Sequence, residues 1–254
     1  LFRSFNHHMA HTLSSVVCEV LPCRVGTWQP DLDALRARLF ESRGKPRVKT
    51  VTLCNPCNPT GAVYDGALLE EAQRLTSLVG AFLVVDNTYE DFVFDEARKH
   101  ETIWGPNVVN VFSFSKSFGA MGLRLGYVAY PVSTADAFLK VQDTIAIAPT
   151  GVAQAAGLAC LELAGDEWVK AKVDALMENR SVLLDALSRC SMDVREDGQR
   201  GSVFFMAKLP WMASSAAVMG SGECGEPWES SQKKDVGEEE EEDILVYKTR
   251  SSND

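Results

Sequence analysis

Five consecutive apolar residues, Ala81 to Val85, run into Asp86, and this short stretch restricts the architecture more than any other. A strand with one face in water alternates apolar and polar positions. An unbroken run therefore reads as a strand covered on both faces, the condition of a parallel sheet flanked by helices. The surroundings agree. Asp65 to Val79 places Leu68, Leu69, Ala72, Leu75 and Val79 on one side of a helix that Gly80 ends, and Lys49 to Leu53 is a further strand. Ser15 to Val20 reads as another strand, and TWQPDLDALRARLFE as a proline-led helix with Leu32, Leu35 and Leu39 on one side. Strand, helix and strand alternating through the first half make the class α/β with a mostly parallel sheet.

After Pro131 the pattern turns helical: Ser133 to Ile145, Thr150 to Leu163, and about Asp166 to Leu187, followed by the strand-like GSVFFMAKLP. The expected organisation is a large domain over 1–150, interdomain helices with part of a smaller α+β domain over 151–210, and an acidic tail over 211–254. Glu238 to Asp243 is an uninterrupted acidic run, and the serine, glycine and glutamate around it predict disorder.

The net charge is −10, but from Ser221 onward eleven acidic residues face four basic ones, which leaves the body at only −3. A near-neutral body without a basic stripe argues against nucleic acid as partner. Seven cysteines, an odd number without secretory features, read as reduced thiols. No apolar run reaches the ~20 residues that span a bilayer. The opening LFRSFNHHMAHT lacks the basic and apolar regions of a secretory leader, so the cytoplasm is the default location. The first residue is leucine, and the chain reads as starting inside a longer sequence, its large domain incomplete at the front.

The chemistry concentrates in Val108 to Tyr130, VVNVFSFSKSFGAMGLRLGYVAY. Its one lysine, Lys116, stands between two apolar runs, where an ammonium must be desolvated. A lysine is so placed when its amine does chemistry, such as forming a Schiff base. Ligands in open α/β sheets gather at the carboxyl ends of strands, and there stand Asn58, in the rigid turn CNPCNPTG, then Asp86 with Tyr89. Taken singly, Asp86 reads better as a capping carboxylate and Tyr89 as a packed ring. His7 and His11 would share a helix face beside His8, but no acidic residue or cysteine within a turn completes a site, and no metal is expected. Cys54 and Cys57 form a C-x-x-C without a second pair at usable spacing, and both read as incidental.

Together, NPCNPTG, DNTY and SFSKSFGAMGLRLGY resemble the three signature segments of class I/II aminotransferases, pyridoxal 5'-phosphate (PLP) enzymes of fold type I. The resemblance runs from about Phe5 to Leu209. FNHHM, VVDNTYEDFVFD and NVFSFSK are most similar to plant and algal members acting on aromatic amino acids and methionine. It implies that Lys116 carries the cofactor as a Schiff base and moves the substrate proton, and that Asp86 pairs with the pyridine nitrogen. Asn58 and Tyr89 would hydrogen-bond the phenolic oxygen, and Ser113 and Arg124 the phosphate, with Gly119, Gly122 and Gly126 giving the backbone close approach to it. The implied reaction moves an amino group between an amino acid and a 2-oxo acid, in a homodimer. Chains of this family are longer. Their substrate-carboxylate arginine lies beyond the FFMAKLP stretch, where Arg250 has no matching context, and the cofactor-stacking ring aligns with Ser4, between Phe2 and Phe5. Two other outcomes fit the same residues: a PLP-dependent lyase or synthase of this fold, because Lys116, Asp86 and Arg124 serve elimination equally, and a catalytically silent remnant acting as a binding module.

Overall fold

Two aspartates start the first two helices. Asp31 accepts the backbone N–H groups of Asp33 and Ala34 at the head of α1 (Leu32–Phe40), and Asp65 accepts that of Leu68 at the head of α2 (Gly66–Leu78). Each carboxylate satisfies donors that a helix N-terminus otherwise leaves unpaired. The computed structural model describes residues 16–41, 47–94, 99–208 and 243–249. Around these helices run the strands β1 (Val16–Pro22), β2 (Val48–Cys54), β3 (Phe82–Asp86), β4 (Val108–Ser113) and β5 (Gly126–Ala129). A one-turn helix, α3 (Phe114–Ser117), follows β4, and α4 (Ala135–Val141), α5 (Gly151–Ala159) and the long α6 (Gly165–Arg189) follow β5. β6 (Asp193–Val194) and β7 (Ala207–Lys208) form a separate antiparallel pair.

One sheet has the order β1-β8-β2-β3-β4-β5, where β8 is Asp243–Thr249. β2, β3 and β4 are parallel, as the apolar run predicts, whereas β5 and β8 pair antiparallel and make the sheet mixed. Residues 243–249 are a strand, paired along all of β1 and with part of β2, and the rest of the 211–254 tail expected to be disordered lies outside the described residues.

The core lies on the sheet face that α1 and α2 cover. Leu35 and Leu39 from α1, and Leu69, Ala72 and Leu75 from α2, meet Val51, Leu53, Leu83, Val85 and Val108. Leu69, Leu75 and Leu83 are fully buried, each worth about 1.5–3 kcal/mol of apolar transfer. Buried Arg38 ties α1 to β1 through Glu19. The opposite face is less enclosed than an unbroken apolar strand suggests, since Phe82 and Val84 stay half-buried. A second cluster joins Val169 and Val173 of α6 to Tyr89 and Phe92, and Trp168 stacks on Phe118, so α6 braces the segments after β3 and β4.

Two further expectations change. The apolar run after Lys116 is not a buried strand: β5 is the sheet edge among the described strands, and Tyr127 is 52 % exposed. Its Gly126 is small for packing reasons, since a Cβ there would stand 2.6 Å from the Phe112 carbonyl oxygen. Among the described residues of GSVFFMAKLP, only Ala207–Lys208 is strand. The residues before it hold their backbone bonds elsewhere: Gly201 N–H donates to Gly61 O (2.8 Å) and Ser202 N–H to Phe92 O (2.8 Å).

Candidate functional site

Because β2, β3 and β4 are parallel and in register, their carboxyl ends meet. Cys54 lies opposite Asp86, Asp86 opposite Val111, and Ser113 closes β4 two residues further on. Ligand-binding groups of open α/β sheets collect at this edge.

The turn after β2 is held by its first residue. Asn55 is fully buried, and its side chain accepts the Tyr64 N–H (2.8 Å) while donating to the Tyr64 carbonyl (3.2 Å). Its own N–H reaches the Asp86 carbonyl at 2.9 Å, and Cys57 N–H donates to Ala62 O at 2.8 Å. Gly61 completes the turn at φ 72°, in a pocket of three carbonyls where only a glycine fits. Asn58 projects from this frame, and its Nδ2 donates to the Tyr89 hydroxyl at 3.4 Å.

Tyr89 stands in the turn after β3, packed edge-on by Phe92 and Phe204 at 6.1 and 5.9 Å. Over its ring, 5.7 Å from the centroid, lies the ammonium of Lys116, a cation–π separation. Lys116 sits on α3, which Ser113 caps by accepting the Ser115 N–H at 3.1 Å. Asp86 is anchored by Thr88, whose N–H (3.0 Å) and hydroxyl (2.6 Å) both donate to Oδ1.

The structure thus brings Asn58, Tyr89 and Lys116 together by direct contact, with Asp86 at the foot of the Tyr89 turn and Ser113 at the head of the Lys116 helix. It does not bring the Arg124 guanidinium to them. Arg124 is exposed, has φ 52°, and donates from Nη1 to the Met121 carbonyl (2.9 Å). The residues that follow it reach the head of α3, since Phe114 N–H bonds to Leu125 O and Ser113 pairs with Gly126.

Burial pushes the Tyr89 hydroxyl up to about 12; Cys54 adds to the rise, while the Asn58 amide pulls the other way. The Cys54 thiol is held well above its ordinary value by burial first, then by Asp86 and Cys57, against the opposing Asn58 backbone N–H. Sequence reasoning passed over Cys54, Thr88 and Phe204. The available signal was position, because Cys54 is the last residue of β2, level with Asp86.

Six described cysteines are free thiols, Cys54 and Cys57 included. A cleft of about 620 Å3 lined by Arg24, Gln29, Asp65, Arg195, Asp197 and Arg200 among others lies apart and includes none of the six expected site residues. Among the described residues no cluster of three or more His, Cys, Asp or Glu could hold a metal ion, and no helix is long and apolar enough to cross a membrane. His7, His8 and His11 lie outside the described residues.

Residues 5–215 match the sequence profile of the family described as aminotransferase class I and II. Aromatic aminotransferase ISS1 of Arabidopsis thaliana is 38% identical over 210 residues, covering 81% of this chain and 52% of that protein. The aromatic amino acid aminotransferase of Rhodococcus jostii is 34% identical over 199 residues, covering 77% and 51%. Among solved structures, a double mutant of Thermus thermophilus aspartate aminotransferase superposes with a TM-score of 0.62 at 26% identity, over 70% of this chain and 46% of that one. The chain spans about half the length of these relatives.

Proposed function

Since the chain belongs to the class I and II aminotransferases, we propose that it serves PLP-dependent transfer of an amino group between an amino acid and a 2-oxo acid. The observation that carries the reading is the half-buried Lys116 amine lying over Tyr89, whose hydroxyl is already engaged by Asn58, at the end of the strands that also present Asp86. The names of the Arabidopsis and Rhodococcus relatives favour an aromatic amino acid as donor. A second copy of the chain is the proposed partner, in keeping with exposed apolar side chains such as Val132, Ile145 and Ile147.

The donor set fits the cofactor by its chemistry. A primary amine suits an aldehyde, an Asp86 carboxylate with Oδ1 held by Thr88 suits a protonated ring nitrogen, and the amide and hydroxyl of Asn58 and Tyr89 suit a phenolic oxygen. The Ser113 hydroxyl, whose oxygen caps α3 and whose hydrogen stays available to donate, suits a phosphate oxygen, and Arg124, whose guanidinium bonds the Met121 carbonyl in this structure, has the chemistry of a second phosphate partner. When bound, PLP supplies a conjugated ring that accepts the electron pair left on the substrate α-carbon. With the cofactor bound, the Lys116 amine would be the group placed to take the proton from the substrate α-carbon. The Asp86 carboxylate would hold the ring-nitrogen proton in place, by charge as well as by hydrogen bonding. Asn58 Nδ2 and the Tyr89 hydroxyl fix the ring plane, so that the α C–H bond is held in one direction.

The chain is purified, mixed with PLP, and its visible absorbance recorded. A band that Lys116→Ala abolishes is expected, and an aromatic amino acid should bleach it with release of the corresponding 2-oxo acid. Ammonia release would indicate elimination instead. A band indifferent to every amino acid would indicate a binding remnant, and no Lys116-dependent band at all would refute the reading.

A further inference from the structure

The turn that carries Asn58 is fastened by a side chain to which the cofactor reading gives no task. Cys54 ends β2 in register with Asp86. Its thiol donates to the Pro56 carbonyl at 3.4 Å and accepts the backbone N–H of Asn58. One sulfur therefore holds both the middle and the far end of the stretch 54–58, while Asn55, next to Cys54, is fastened to Tyr64. A thiol can do both only while it keeps its proton, because a thiolate has nothing to donate. Burial and the neighbouring Asp86 carboxylate favour the protonated form.

We propose that Cys54 is a positioning residue of the Lys116 site, clamping residues 54–58 so that the Asn58 side-chain amide stays aimed at the Tyr89 hydroxyl. The proposal rests on reading Lys116, Asn58 and Tyr89 as the cofactor site. A cysteine in that place as mere filling would be replaced without loss by valine, of similar size and apolar. A cysteine acting through hydrogen bonds is replaced by serine, which donates and accepts in the same direction, and not by valine.

Cys54→Val and Cys54→Ser therefore separate the two roles, each measured twice. In the ligand-free protein, hydrogen exchange at the Asn58 backbone amide should be about fivefold faster in the valine variant, the weight of one neutral hydrogen bond, and near the parent rate in the serine variant. With PLP added, the valine variant should bind it about fivefold more weakly and move the pH midpoint of the visible band, while serine restores both. Unchanged exchange in Cys54→Val overturns the clamp. Faster exchange with unaltered PLP affinity and midpoint shows a turn fastener without influence on the site, and also overturns the proposal. If the parent band survives Lys116→Ala, the cofactor reading and the site role fall together, and the exchange arm still decides whether the clamp exists.

Discussion

Asn55→Ala should cost more stability than most single truncations in this chain. Asn55 is fully buried, and its amide meets both backbone groups of Tyr64, itself buried. Alanine leaves a buried N–H and a buried carbonyl facing no partner, and each orphaned group costs about 1–3 kcal/mol, so the pair costs about 2–6 kcal/mol before any cavity is counted. Against a total of about 5–15 kcal/mol for a typical domain, that is a large fraction. Urea unfolding followed by circular dichroism measures it. With a slope of about 2–3 kcal/mol per molar, the midpoint should fall by about 1 M or more at unchanged slope. Asn55→Asp sharpens the test. Its carboxylate still accepts from the Tyr64 N–H but turns an oxygen toward the Tyr64 carbonyl, so the variant favours the protonated acid in the folded state. Its folded pKa is then raised above the unfolded one, and its stability relative to the parent must fall as pH rises through that folded value. An Asn55→Ala midpoint within about 0.2 M of the parent, the scale of an ordinary surface change, would refute the reasoning that these two hydrogen bonds hold the turn.

Gly61→Ala drives a Cβ into the Gly198 carbonyl oxygen at φ 72°, and backbone cannot swing aside; a loss of about 3 kcal/mol is expected in the same assay, whereas Gly122→Ala, with nothing within 4 Å, should stay within about 0.5 kcal/mol. Ultraviolet titration should find the Tyr89 phenol ionising near 12 and higher still in Asn58→Ala, because the amide is the group that lowers it. Burial, and secondarily Asp91, push the Glu90 carboxyl from 4.5 to about 7. The folded state then holds a proton that the unfolded state has lost, so this group's contribution to stability declines between pH 4.5 and 7. Chemical denaturation across that range should show Glu90→Gln gaining relative to the parent as pH rises, and a constant difference would sink the assignment.

The central strands were legible because their cause is local. Ala81–Val85 is apolar without interruption, and Asp65 is a helix-capping residue three positions before the Leu68 amide it bonds. Lys116 stood out as a candidate from its flanks, and Asn58, Asp86, Tyr89, Ser113 and Arg124 from the motifs around them; of these, Asn58 and Lys116 each meet Tyr89. What could not be read depends on distant partners. Ile244 to Tyr247 is a β-branched and aromatic stretch, but the acidic run before it dominates any window average, and its partners in β1 and β2 lie at the other end of the chain. The exposure of β5 follows from its place at the edge, which strand propensity does not encode. Cys54 looked incidental because the C-x-x-C invites a metal or redox reading, whereas its weight comes from strand register against Asp86.

Among the described residues, β1 joins the rest of the sheet only through β8, the last described strand in chain order. On a ribosome, the segments from β2 to β5 can assemble while the polypeptide is still emerging, but β1 lacks its described partner in this sheet until residues 243–249 have been synthesised. Such a long-range closure is slow by topology and leaves two strand edges waiting for each other, open meanwhile to any extended peptide. A stop codon placed ahead of Asp243 would therefore remove more than a short acidic appendage: it would take away the described partner of β1, and chaperone dependence during translation would be its first symptom.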